Sequence, residues 1–278
     1  MKELFDHVSA RCSKITTHEY STSFSLGIKL LAKRFRQPIY AIYGFVRFAD
    51  EIVDSFHDYD KVNLLKKFRA ETYEAIDTGI SLNPILNSFQ YAVNKYAVRR
   101  ELIDTFLDSM EMDLQQHFYT RTLYEKYIYG SAEAVGLMCL KVFCEGDEQM
   151  YSNLTTPAMK LGSAFQKINF LRDIKADNEK LGRLYFPGVD LANFSKEDKW
   201  QIEHEIETEL AEALQGIKQL PASSGRGVYL AYHYYCVLFK KIQNLPPIEI
   251  FSKRIRVNNV KKMGLLFNCM IRHQLNLL

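Results

Sequence analysis

Apolar residues recur along this chain at three- and four-residue steps rather than in alternation, the spacing of helices rather than strands. The clearest stretch is Ser195 to Leu220. Ile202, Ile206, Leu210, Leu214 and Ile217 form one stripe there, with glutamates on the other face, and predict an amphipathic surface helix. Ser195 with Asp198 three positions on reads as the capping box that starts it. Glycine (13) and proline (7) are sparse in 278 residues. Breaks fall near Gln37-Pro38, Asn83-Pro84, Thr156-Pro157, Asn178–Asn193, Pro221–Gly227 and Pro246-Pro247. The pieces between them predict roughly eight to ten helices in a single domain spanning 1–278, with no linker, repeat or low-complexity tract.

Two segments break the surface-helix pattern. Ile39–Asp54, IYAIYGFVRFADEIVD, is apolar nearly all round and so predicts a buried helix. At 3.6 residues per turn, Tyr40, Tyr43, Arg47, Asp50 and Asp54 share a face about 80° wide, with Glu51 beside it. Carboxylates four apart repel, and burial makes an uncompensated pair worse. A cation belongs there: Arg47 one turn back, or a hard divalent ion such as Mg²⁺, which joins one or two carboxylates to substrate phosphates. Leu161–Asp177, LGSAFQKINFLRDIKAD, repeats the design, with Gly162, Gln166, Asn169, Asp173 and Asp177 on one face about 80° wide and Arg172 and Lys175 flanking the acids. Each segment alone also reads as a solvated acidic face. Together they suit a cage for several Mg²⁺ ions and a diphosphate, in which metal neutralises the leaving group.

Composition narrows the class. Apolar residues make up 47% and charged residues 25%, enough for a sizeable core. The net charge of +3 and pI near 8.4 are too mild to suggest a nucleic-acid partner. The five cysteines (Cys12, Cys139, Cys144, Cys236, Cys269) form no CxxC and no even set, and read as reduced thiols of a cytoplasmic protein. The seven histidines form no HxxxH pair, which argues against zinc. Met1–Ala10 lacks an apolar signal core, and no apolar run reads as long enough to cross a bilayer.

Two further segments bear on the site. Tyr127–Met138, YIYGSAEAVGLM, carries Gly130, Ser131, Ala132, Ala134 and Gly136, which leave room beside a helix either for a slender carbon tail or for a neighbouring helix. Gly182–Pro187, GRLYFP, brings Arg183 and Tyr185 close to the second acidic segment, as a surface turn or as a closing lid.

In this order the segments resemble the squalene/phytoene synthase family, from about Tyr20 to about Lys262. YSTSFSLG (Tyr20–Gly27) looks like the family's SKSFxxG stretch, AIYGFVRFADEIVD like its first aspartate motif, and YGSAEAVGLM like its YxxAGxVG segment, with Glu133 at a usual glycine. NFLRDIKAD with GRLYFP looks like its second aspartate motif and trailing loop, with Ala176 where phytoene synthases often have an acid, and KRIRVNNVKK (Lys253–Lys262) resembles its basic C-terminal helix. The resemblance implies an all-α isoprenoid-synthase fold with a central cavity between two aspartate-bearing helices. It implies head-to-head condensation of two identical prenyl diphosphates. By carry-over, Asp50, Glu51, Asp54, Asn169, Asp173 and Asp177 ligate Mg²⁺, with Mn²⁺ as a substitute. Arg47, Arg172 and Arg254 grip diphosphate. Ser21, Ser23, Phe24, Tyr43, Tyr129 and Gln166 line the cavity, and Tyr129 joins the aspartates as catalytic.

The DEIVD form is nearer the phytoene branch, so two geranylgeranyl diphosphates are expected to give phytoene for carotenoid biosynthesis without NADPH. Squalene or dehydrosqualene synthesis from farnesyl diphosphate is the alternative, and a non-catalytic helical assembly partner the alternative from another class. The hydrophobic tails and the basic run Lys253, Arg254, Arg256, Lys261 and Lys262 predict peripheral contact with the inner face of a membrane. Tail length and oligomeric state stay open at this level.

Overall fold

The computed structural model describes residues 1–115, 119–189, 194–251 and 255. Twelve α-helices and one π-helical turn account for most of them: α1 (Lys2–Tyr20), α2 (Thr22–Leu30), α3 (Lys33–Ser55), α4 (Lys61–Thr78), α5 (Pro84–Tyr96), α6 (Arg100–Gln115), α7 (Arg121–Ile128), the π-turn Tyr129–Glu133, α8 (Ala134–Cys144), α9 (Glu148–Leu181), α10 (Lys196–Ile217), α11 (Ala222–Gln243) and α12 (Pro247–Ile250). The all-α expectation holds. Local chemistry starts several helices where it should: Asp60, Asn83 with Pro84 at the first helical position, and Thr120 cap α4, α5 and α7. The capping box at Ser195 and Asp198 closes in both directions.

Two expected breaks are not breaks, and a third is shorter than expected. Pro38 lies inside α3, where its missing N–H forfeits one backbone bond. Fully buried Phe35 and Phe45 on either side hold the helix, and the Phe45 ring stacks on Phe89 at 3.9 Å. Pro157 lies inside α9 because Gly216 of α10 makes room for it; a Cβ at Gly216 would fall 2.2 Å from the proline ring. Gly225 and Gly227 lie within α11, which begins immediately after Pro221. A Cβ on Gly227 would come 2.7 Å from the Gly27 carbonyl, so this glycine serves a close crossing of α2 and α11 rather than a turn.

The α10 stripe is buried as expected at Ile206, Leu210 and Ile217, but its glutamates do not all face water. Glu209 is 6% exposed and accepts from Lys167 (2.8 Å) and Ser163 (2.9 Å) of α9. A further correction concerns hydropathy. The continuous stretch Arg121–Cys144 is, by length and composition, apolar enough to span a bilayer, contrary to the sequence reading. Just over half of its most apolar window is buried inside the protein, as in a core helix.

The described core falls into two large clusters. One is rooted on α3, with Phe35, Ile42, Phe45, Ala49 and Val53. The other is rooted on α9 and α11, with Ala164, Ile168, Leu171, Ile174, Leu238 and Phe239. Each acidic segment is therefore anchored in its own apolar body, and their polar faces meet along the seam.

Candidate active site

The seam is drawn together by an aspartate on α6 and an arginine after α9. Asp113 is buried, and three tyrosine hydroxyls donate to its carboxylate: Tyr127 at 2.7 Å, Tyr185 at 3.1 Å and Tyr119 at 3.3 Å. Arg183, 5% exposed, lies 3.5 Å from the same carboxylate and donates to the Asp113 carbonyl at 2.9 Å. Its other hydrogen bonds reach across the seam, to Asp54 Oδ1 of α3 at 2.8 Å, while its own backbone N–H donates to the Asp177 carbonyl of α9 at 3.0 Å. One residue, through its side chain on one side and its backbone on the other, thus ties the first acidic helix to the end of the second. Gly182, at φ +64°, makes the left-handed turn that sends the chain back into the seam. GRLYFP is neither a surface turn nor a poised lid, because Arg183, Tyr185 and Phe186 are all buried.

The acids behave as one electrostatic group. Burial, then the neighbouring Asp54, pushes the Asp50 carboxyl up to about 7. Burial, then Asp173 and Asp54, does the same to Asp177, also to about 7. Asp113 rises to about 6 because burial outweighs the opposing charge of Arg183. Asp50, Asp113 and Asp177 thus each feel the charge of Asp54 as well as their own burial. Among the described residues no three acids converge into a preformed metal cage. The cage expected from the sequence is therefore not preassembled among the described residues. The all-oxygen donors and their mutual repulsion suit a hard dication.

The cationic side is also half-prepared. Arg47 pairs with Glu51, its guanidinium lies 4.3 Å from the centre of the Tyr20 ring, and its buried Nε finds no acceptor among the described residues. A buried donor without a partner is costly, and a bound anion would satisfy it. Glu51 is engaged by Arg47, by Ser55 and by Tyr20, which hold its carboxyl below the usual range despite burial. Its expected role as a metal ligand therefore competes with a committed ion pair. Arg172 is paired with Asp173 at 2.5 Å, beside Tyr235.

A polar chain and an aromatic wall adjoin the acids. Gln166 donates to Ser131 at 3.3 Å, Asn169 to Gln166 at 3.4 Å, and Tyr235 of α11 to Asn169 at 3.1 Å. The Tyr235 ring stacks on Phe165 at 3.8 Å and lies 6.3 Å from Phe24, which lies 5.8 Å from Tyr43. Ser21 caps α2 by accepting from Phe24 N–H at 3.2 Å and also bonds to Tyr43, whose hydroxyl burial pushes up to about 12. Ser23 is half-buried on the same short helix. Arg254 and the rest of its basic run lie outside the described residues.

Tyr129 is not where the sequence put it. It is 36% exposed, at the start of the π-turn. The tyrosine turned into the seam is Tyr127, 4% exposed. Two positions apart on a helix, the two tyrosines point about 200° apart and so face different surroundings. Gly130 and Gly136 serve helix packing rather than a tail. A Cβ at Gly130 would stand 2.4 Å from the Thr105 carbonyl, and one at Gly136 would stand 3.1 Å from that of Ala158.

Comparison with known proteins gives a consistent result. The family model described as squalene/phytoene synthase matches residues 17–261. Over 94% of this chain and 92% of its own length, the 15-cis-phytoene synthase of Synechococcus elongatus is 29% identical. The chloroplastic phytoene synthase of Narcissus pseudonarcissus is 28% identical over 96% of this chain, which spans 66% of that protein, just under two thirds. Among solved structures, a dehydrosqualene synthase superposes with a TM-score of 0.80 at 20% identity, covering 97% of this chain and 98% of that one. The squalene synthase HpnC of Alicyclobacillus acidocaldarius gives 0.75 at 18% identity, over 86% and 94%. At those identities the two structures speak to the fold.

Proposed function

The chain belongs to the squalene/phytoene synthase family, and from that premise we propose that it is a phytoene synthase, joining two geranylgeranyl diphosphates head to head. The observation that carries a prenyl-diphosphate reading is the approach of Asp54, Asp113 and Asp177 to Arg183, with Asp50 next to Asp54 and a buried Arg47 nitrogen that has no acceptor among the described residues. Asp50 and Asp54 on one side, and Asn169, Asp173 and Asp177 on the other, are the residues that would hold Mg²⁺ with the diphosphates. Bound there, Mg²⁺ supplies charge neutralisation to the departing diphosphate.

The remaining work falls to side chains. Arg47 and Arg172 hold diphosphate oxygens. The allylic C–O bond of the first substrate breaks, and the diphosphate keeps the electron pair. The double bond of the second substrate attacks the resulting cation, and loss of a proton closes a cyclopropane that still carries one diphosphate. That diphosphate leaves in turn, the carbon skeleton rearranges, and a second proton is lost, giving phytoene and two diphosphates with no reductant. The faces of Phe24, Tyr43, Phe165 and Tyr235 exclude water and stabilise positive charge. Asp113 and Arg183 keep Asp54 aimed into the seam.

The phytoene assignment is supported by the named phytoene synthases among the relatives and by the DEIVD form of the first motif. Competition between equal farnesyl and geranylgeranyl diphosphate, with and without NADPH, scored by product mass, tests it. A forty-carbon product without NADPH is expected. A predominantly thirty-carbon product would overturn the assignment in favour of dehydrosqualene synthesis, or of squalene synthesis if it required NADPH.

A further inference from the structure

The cations around the seam are not equally committed. Arg47 pairs with Glu51, Arg172 with Asp173 at 2.5 Å, and Arg183 with Asp54 at 2.8 Å and Asp113 at 3.5 Å. Each of these arginines already has a carboxylate. Lys61, the first residue of α4, has none within ion-pair distance among the described residues. Its ammonium donates to the Val53 carbonyl of α3 at 2.8 Å and to His57 Nδ1 at 3.0 Å. Both acceptors are neutral, because an ammonium only donates and the ring nitrogen it meets must be unprotonated. The adjacent acid, Asp60, spends an oxygen on the Asn63 N–H as the cap of α4.

Lys61 nevertheless belongs to the site. Arg183 Nη2 lies 3.5 Å from the same Val53 carbonyl, so two cations converge on one oxygen, one position before Asp54 in the chain. Burial and then Arg183 push the Lys61 pKa down, and Asp54 only partly opposes them. Lys61 also starts an 18-residue helix, at the end where anions rather than cations are favoured. The carbonyl end of α3 offsets part of this. A half-buried lysine held by neutral acceptors beside an arginine is a cation short of a counter-charge. Its long stem lets the ammonium move toward one. The Val53 carbonyl would not be orphaned, since Arg183 is there to donate to it.

We propose that Lys61 is a further diphosphate-binding residue, its ammonium leaving the Val53 carbonyl to hold phosphate oxygens of the substrate on the Asp54 side of the seam. The proposal rests on the prenyl-diphosphate reading above and names a cation that reading did not use. Motif reasoning passes over it, because SFHDYDKV (Ser55–Val62) carries no helical stripe and places Lys61 seven residues beyond Asp54.

Calorimetric titration of the full chain with inorganic diphosphate, in the presence of Mg²⁺ and at low and high salt, tests it. The native protein should bind. Lys61→Gln, which removes the charge and keeps an N–H for the Val53 carbonyl, should bind about tenfold more weakly at low salt. Its deficit should shrink as salt rises, because the lost contact is between charges. Lys61→Arg should recover most of the affinity. Thermal unfolding followed by circular dichroism should place both variants near the native protein. Equal binding by the native protein and Lys61→Gln would overturn the proposal and leave the prenyl-diphosphate reading standing. A deficit of the same size at both salt concentrations, or one that arginine does not recover, would overturn it too and assign Lys61 to the packing of α4 on α3. No binding by the native protein would overturn both readings.

Discussion

Asp113→Ala tests whether the seam is held by a buried charge pair. The Asp113 and Arg183 side chains are 3% and 6% exposed, and removing the carboxylate leaves three tyrosine hydroxyls without their acceptor. Arg183 keeps Asp54 as a partner, but that side chain is 38% exposed and is a weaker counter-charge. Breaking a buried pair from one side costs about 3–5 kcal/mol. Burial already raises Asp113 to about 6, so near neutral pH part of that stabilisation is offset by desolvation, and the lower end applies. A loss of about 3 kcal/mol corresponds to a fall in melting temperature of about 6–12 °C for a chain of this size. The discriminating measurement is a double-mutant cycle by urea unfolding, with Asp113→Ala, Arg183→Met and both together. Because the double variant buries no unpaired charge, it should be less destabilised than the sum of the singles by about 1–3 kcal/mol. Losses that add within about 0.5 kcal/mol would show that the two residues act independently and that the seam is not organised by their pairing.

Tyr127→Phe should lower turnover strongly, whereas Tyr129→Phe should leave it near native; the reverse order would put the wrong tyrosine in the seam. Asp50→Asn and Asp173→Asn should each remove most activity while the protein stays folded, and a collapsed melting temperature in either would indicate a structural role. Excess EDTA should abolish turnover and Mg²⁺ restore it; full activity in the chelator would refute the assigned use of the carboxylates. Glu133 is pushed up to about 7 by burial and by Glu209, so the native fold disfavours its charged form. Its destabilising effect is absent below the unfolded value near 4.5 and grows as pH rises to about 7. Glu133→Gln should therefore melt higher than the native protein at pH 8, with the difference vanishing by pH 4.5, and a gain independent of pH would contradict the assignment.

Much of this architecture could be read from spacing. Asp50 with Asp54, and Asp173 with Asp177, stand out because acids four apart interrupt otherwise apolar helices. The capping box and the α10 stripe follow from short-range rules. Asp113 was missed because one acid near the end of α6, which also carries Asp104 and Asp108, has no partner at helical spacing. The available signal was local: Met110, Met112 and Leu114 surround it, an odd setting for a solvated carboxylate. Pro38 and Pro157 misled because their effect depends on what lies across the interface, and Gly216 sits far from Pro157 in sequence. Glu209 looked solvated because its cation, Lys167, comes from another helix. Tyr129 enters through the family resemblance alone; that Tyr127 meets Asp113 depends on α6, fourteen residues away, and has no signal at helical spacing.

The π-turn has a consequence for how this segment can change. Arg121 to Cys144 is one continuous rod, yet Tyr129–Glu133 is wound with one residue more than an α-helix of that length would use. A π-turn is a local widening that absorbs one residue while the α-helices on either side keep nearly the phase they would have without it. Deleting one residue within it would let the turn rewind as α-helix with α7 and α8 close to their present faces, whereas the same deletion in an α-helical stretch would turn everything beyond it by about 100°. Tyr127 would stay on Asp113 and Gly136 against Ala158 in the first case only. The turn is therefore the place where this rod can lose a residue at least cost to its neighbours.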